Sequence, residues 1–240
     1  MSRNRQYVLL FDTETTMTNM VADISFVVCT LQGHVVMHQA ILVNGVYNNR
    51  VEHPLFHNED SDPLWKRERL DDRYKHYDNM IENGTRTLYS VRAINTWLMQ
   101  VNSLYNPVLT AYNLAFDVNK CRNAGINVDM FERSFCLMHA CKDYFSRSKK
   151  YRQFILENHL FKNPTKLGNM SYSTTAETMT RFLLGANIPS EPHTSLEDCL
   201  GYELPLLTAI LKRKSLKWCL NDVDPISWQN LQVRDWFKPR

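Results

Sequence analysis

Residues 7–11, Tyr-Val-Leu-Leu-Phe, form an unbroken apolar run, and the chain then sets Asp12 and Glu14 two positions apart. A short apolar run without alternation is the pattern of a strand buried on both faces. Such a strand requires a covered sheet, with other elements packed against it. In an extended backbone residues i and i+2 share a face, so Asp12 and Glu14 project side by side from the strand end. Two like charges held there repel unless something positive lies between them, and a divalent cation meets that need. A turn or helix-cap role for Asp12 is the plainer alternative.

Two further segments repeat the theme. Residues 108–112 read as an apolar strand, followed by Asn-Leu-Ala-Phe-Asp (113–117) and a helical stretch stopped by Gly125. Asp117 falls at or just inside that helix start, where an acid also complements the helix dipole. Residues 176–185 pattern as an amphipathic helix ending at Gly185. A proline-bearing connector then leads to His193 and a helix over 195–214 that Pro205 is expected to kink. Asp198 lies about one turn into that helix, so His193 and Asp198 can point into one cleft. An ordinary surface histidine is the alternative.

The elements between these segments predict a mixed α/β fold. Strands are expected at 6–12, 23–31 and 34–43, with a hairpin turn at Gln32-Gly33. A helix over 90–103, capped by Ser90, leads to the strand at 108–112. A short strand at 134–137 and a helix over 138–146 follow. The order βββαβαβαα describes one sheet that starts antiparallel and is flanked by helices. At 240 residues, with no repeat or flexible linker, the chain reads as one domain over 1–240.

Four carboxylates and a histidine suit two hard cations, magnesium or manganese, better than zinc or copper. Such cations activate water and stabilise a leaving oxygen in phosphodiester cleavage, and a neutral histidine can take the proton near pH 7. The series D-x-E after a strand (Asp12, Glu14), N-x-x-F-D (Asn113 to Asp117) and H-x-S-L-x-D (His193 to Asp198) resembles the three motifs of the DEDDh exonucleases. The likeness spans roughly residues 5–211 and implies a ribonuclease H-like fold with 3′→5′ exonuclease activity. It implies that Asp12, Glu14, Asp117 and Asp198 hold two Mg²⁺ or Mn²⁺ ions, with Glu14 also orienting the water and His193 as general base. Thr13, Thr15, Asn113 and Phe116 fall where the terminal nucleotide would lie. Met17 stands where the family often has glycine, and Tyr112 where it often has histidine. The expected substrate is the 3′ end of single-stranded nucleic acid, DNA ahead of RNA, with a polymerase or repair protein as a possible partner. An exoribonuclease trimming RNA ends, and a non-catalytic binding module on the same fold, are the alternatives.

Composition limits the setting. A net charge of +3 neither argues for nor excludes nucleic acid. The basic amino terminus is followed by only five apolar residues before Asp12, which predicts no secretory leader. No apolar stretch approaches the roughly 18 residues of a membrane span. Six cysteines without a CxxC pair read as buried free thiols, and the expected location is cytoplasmic.

Two regions lie outside the motifs. The insert at 45–88 predicts a charged helix over 63–84, begun by Ser61-Asp62-Pro63 and stopped by Gly84. Its mixed charge is that of a solvated helix, while Trp65, Tyr74 and Tyr77 could instead stack on a nucleic acid. Glu197 is expected to face solvent and Tyr112 to pack at a strand end. The aromatic tail, 218–240, is expected to dock on the body or on a partner.

Overall fold

The computed structural model describes residues 6–58, 65–162, 171–224 and 226. Three long strands open the chain: β1 (Tyr7–Thr15), β2 (Val21–Thr30) and β3 (Val35–Val43). They pair as an antiparallel meander. After the insert helix α1 (Leu70–Glu82), a short strand β4 (Thr87–Tyr89) pairs parallel to β3 at one edge. Helix α2 (Val91–Tyr105) leads to β5 (Val108–Ala111), which is parallel to β1. Helix α3 (Leu114–Asn123) leads to β6 (Ser134–Cys136), the opposite edge. The six-stranded order is β4-β3-β2-β1-β5-β6, a mixed sheet of ribonuclease H-like arrangement, as the sequence predicts.

The remainder is mostly helical: α4 (Leu137–Ser146), α5 (Lys149–Glu157), α6 (Ala176–Leu184), α7 (Ser195–Asp198), α8 (Leu204–Arg213) and α9 (Leu216–Asn221). A two-stranded ribbon, β7 (Phe161–Lys162) with β8 (Ser171–Tyr172), lies between α5 and α6 in sequence. β4, α5, α9 and the ribbon escape sequence reading because each is short or heavily charged. The helix expected over 195–214 is divided. α7 passes into a π-helical turn, Cys199–Glu203, where the Leu204 N–H donates to the Cys199 carbonyl five residues back. α8 then starts with Pro205 in its first turn, where the missing N–H leaves no gap. Where the sequence predicts a kink at Pro205, the chain makes a π turn over Cys199–Glu203 just before it.

Alternation along β1 divides the core. Val8 and Leu10 join Val27 and Cys29 of β2 under α4, α5, α6 and α8. Leu9 and Phe11 join Ile24 and Phe26 under α1, α2 and α3. Burial on both faces explains the unbroken apolar run. Five of the six cysteines are buried and all are free thiols; Cys136 is half-buried. Among the described residues no helix is long and apolar enough to cross a membrane.

The β2–β3 turn brings the sheet against α8. Gly33 sits at φ +82°, and a Cβ there would lie 2.2 Å from the Thr208 hydroxyl. Gly33→Ala is therefore expected to cost about 1–3 kcal/mol by combining strain with a clash. Urea melts of Gly33→Ala with and without Thr208→Ala measure the two parts. Equal stability of Gly33→Ala and the wild type would contradict the close approach.

Candidate active site

β1 runs on past its parallel neighbour. Its pairing with β5 covers only Val8 to Leu10, whereas pairing with β2 continues to Thr15. Asp12 and Glu14 therefore lie inside an extended strand rather than beyond its end, at a border that β5 leaves open. Parity with Val8 and Leu10 directs both toward the α7–α8 side. Across the ladder Asp12 faces Ser25 and Glu14 faces Asp23, so four polar residues share this patch.

The other motif residues arrive from both layers. Asp117 lies in the first turn of α3 and is 3% exposed. It accepts a hydrogen bond from the Thr13 hydroxyl at 2.7 Å. Thr13, expected among the nucleotide contacts, is itself buried and orients a carboxylate. Asn113 precedes α3 and is exposed, as is Phe116, which lies outside the core with the Lys120 ammonium 4.7 Å from its ring centre. Thr15 is half-buried, and its carbonyl accepts from Phe56 N–H at 2.9 Å.

His193 adopts a left-handed backbone, φ +56°, just before α7, and its ring lies 4.8 Å from that of Trp65. One ligand atom each from Glu14, His193 and Asp198 lie within 4.8 Å of one another. Asp198 is 3% exposed, and its Oδ1 has no hydrogen-bond partner among the described residues. A buried carboxylate oxygen left unsatisfied is costly, and Asp198 belongs to the group of three whose ligand atoms could hold a cation.

The acids act on one another. Burial, opposed by the Thr13 N–H and assisted by Asp23, pushes Asp12 up to about 7. Burial and then Asp12 push Asp198 up to about 10. Glu14 and Asp117 are raised well above the usual range by burial and by Asp12. Two acids that motif reading passes over join them. Glu203, on the π turn, is raised by burial and by Asp12 and Asp117. Glu191, two residues before His193, is pushed up to about 8 by burial and by Asp12. Their spacing matches no motif, and only the folded chain brings them near. Oxygen ligands suit hard divalent cations; among the described residues the group whose ligand atoms come together is Glu14, His193 and Asp198, while Asp12 and Asp117 are tied to it through their charges.

A buried ion pair anchors the site from behind. The Arg86 Nε donates to Asp23 Oδ1 at 3.0 Å, with both side chains fully enclosed. Its Nη2 donates to Glu197 Oε2 at 2.6 Å. Asp23 Oδ2 also accepts the Ser195 N–H at 2.9 Å and the Tyr77 hydroxyl at 3.3 Å. Asp23 thus caps α7 from β2, a role Thr194 leaves open because its side chain makes no cap bond. Ser25 and Ser195 add a hydroxyl pair at 2.6 Å. Glu197 does not simply face solvent as expected: its carboxylate is held by Arg86. The signal for Asp23 is an acid interrupting the apolar pattern of β2.

The insert helix also departs from expectation. Arg73, Tyr74 and Tyr77 are buried, so α1 packs on the body and both tyrosines are lost as stacking surfaces. The segment Ser61-Asp62-Pro63 lies outside the described residues, as do Trp228, Trp236 and Phe237 of the tail. Trp218 packs partly against the core, and Tyr112 packs there too, donating its hydroxyl to the Thr174 carbonyl.

Two outcomes follow. Arg86→Met should destabilise the protein by about 3–5 kcal/mol, since it leaves the buried Asp23 carboxylate without its guanidinium partner; a denaturant melt within about 1 kcal/mol of wild type would show the pair to be dispensable. Raised carboxylates bind protons more tightly folded than unfolded. In chelator, stability should therefore fall as pH rises from about 4 through the folded values of about 7 to 10. Divalent cations should offset the fall. Calorimetry from pH 5 to 9, with chelator or magnesium, tests this, and a chelated melting temperature that climbs across the range would refute it.

None of the family models, curated proteins or solved structures compared with this chain matches it.

Proposed function

We propose that the protein is a metal-dependent 3′→5′ exonuclease acting on single-stranded nucleic acid, DNA foremost, and releasing nucleoside 5′-monophosphates. One observation carries this reading. Carboxylates from β1, α3 and α7 share one electrostatic patch with His193, and Glu14, His193 and Asp198 bring ligand atoms within 4.8 Å. That set has too much buried negative charge to serve the fold, and structural roles are already filled by Asp23 and Arg86.

Magnesium or manganese ions held by Asp12, Glu14, Asp117 and Asp198 would supply positive charge that polarises the phosphodiester and acidifies the attacking water. His193 accepts the proton from that water. Thr13 keeps the Asp117 carboxylate turned toward the cluster through its 2.7 Å hydrogen bond. Phe116, exposed at the start of α3, packs on the terminal sugar or base, with Lys120 beside it as a contact for the phosphate backbone. Asn113 and Thr15 border the same opening. The buried free thiols fit a reducing compartment, and we place the enzyme in the cytoplasm.

The test is incubation with DNA and RNA strands labelled at one end and blocked at the other, with magnesium or chelator. Digestion should start at a free 3′ end, need the cation and stop with Asp12→Ala. His193→Ala should lower single-turnover rates by about 10²–10⁴-fold with little change in melting temperature. Undiminished cleavage in chelator, or digestion that a 5′ block stops and a 3′ block does not, would reject the assignment. Faster loss of RNA than DNA would make it an exoribonuclease.

A further inference from the structure

The insert forms one wall of a second feature beside His193. A cavity of about 190 Å³ opens between α1 and the loop before α7, lined by Arg69, Asp72, Arg73, His76, His193 and Thr194 among others. That volume is several times the roughly 30 Å³ share of one water.

Arg73 is its unusual member. The residue is 7% exposed, yet no carboxylate pairs with it among the described residues, whereas Arg50, Arg86 and Arg147 each hold at least one. Its Nη1 donates to the Phe56 carbonyl at 2.6 Å, and its guanidinium lies 4.3 Å from the Trp65 ring centre. Its Nη2 is buried with no hydrogen-bond partner among the described residues. An enclosed cation with an unfilled donor is expensive. Arg69 adds a second guanidinium, tied to Asp72 at 3.2 Å. Arg73 therefore brings to the cavity a guanidinium that no ion pair engages among the described residues. The cavity also shares His193 with the carboxylate cluster, and the charge of Arg73 reaches Glu14.

We infer that this cavity is a phosphate-binding site, in which Arg73 receives a phosphate group of the bound strand on the His193 side of the carboxylates. The inference rests on the nuclease reading for the identity of the strand, but the site's chemistry is independent of it. Guanidinium groups match phosphate oxygens in both charge and geometry. Trp65 keeps the arrangement rigid by touching both Arg73 and His193, which sets the phosphate and the proton acceptor at fixed separation. The insert is thereby a substrate-binding element rather than a solvated appendage.

Binding is measured by calorimetry in chelator, so that hydrolysis plays no part. The probes are inorganic phosphate, a nucleoside 5′-monophosphate and a short oligonucleotide. Wild-type protein should bind all three, the nucleotides more tightly, since sugar and base reach surfaces that free phosphate does not. Phosphate binding alone, with no gain from the nucleoside, would reject a strand phosphate as the occupant. Arg73→Gln should weaken each by about 10–100-fold, the worth of a charged hydrogen bond, with Arg73→Lys in between. Should Arg73→Gln fail to fold, the rim variant Arg69→Gln/His76→Gln replaces it, with an expected loss of about two- to fivefold. Unchanged affinity in a folded variant, or no phosphate binding by the wild type, overturns the site. Phosphate bound through Arg73 by a protein that cleaves nothing would reject the nuclease reading alone. Cleavage with a KM indifferent to Arg73→Gln would reject this site alone.

Discussion

The Arg86–Asp23 ion pair is the interaction on which the site depends. Both side chains are fully enclosed, and the guanidinium reaches a second carboxylate, Glu197, on α7. Desolvating two charges consumes most of their attraction, so such a pair is rarely retained for stability alone. Here its geometry does more. Asp23 takes the Ser195 N–H and thereby fixes where α7 begins against β2. His193 lies two residues before that point and Asp198 three beyond it. A shift of α7 would move both at once, away from carboxylates that belong to β1.

The insert between β3 and α2 is accordingly part of the site. Its helix presents Arg73, Tyr74 and Tyr77 inward, so one face is committed to the body despite the charge distributed along it. Tyr77 reaches Asp23, and Arg86 follows at the helix exit. Trp65 and Arg73 flank His193 on the other side. One segment thus supplies both the anchor behind α7 and the wall before it.

The acids are placed against their own interest. Asp12, Glu14, Asp117, Asp198, Glu191 and Glu203 all have raised proton affinities, and burial is the largest cause in each. A fold selected only for stability would not gather them, and perturbed groups concentrated in one place make this patch the candidate functional site. On the proposed reading, a cation bound among Asp12, Glu14, Asp117 and Asp198 would offset the cost of burying them.

Much of this was legible in the chain. The run at 7–11, the period-two parity of Asp12 and Glu14, the hairpin at Gly33 and the Ser90 cap follow from local rules, because strand pleat and capping depend only on near neighbours. So do the segments that carry the candidate residues, since each lies toward the end of a strand or at a helix start with a local signature. The placement of Glu203 and Glu191, the pairing of Asp23 with Arg86 and Glu197, and the inward face of α1 depend on contacts between residues far apart in sequence. β4 gains its identity only from β3 beside it, and the π turn has no local signature in the sequence. Thr13 shows the division most clearly. Its position in the first motif is written in the sequence, but only the arrival of α3 on the opposite layer decides that its hydroxyl faces Asp117.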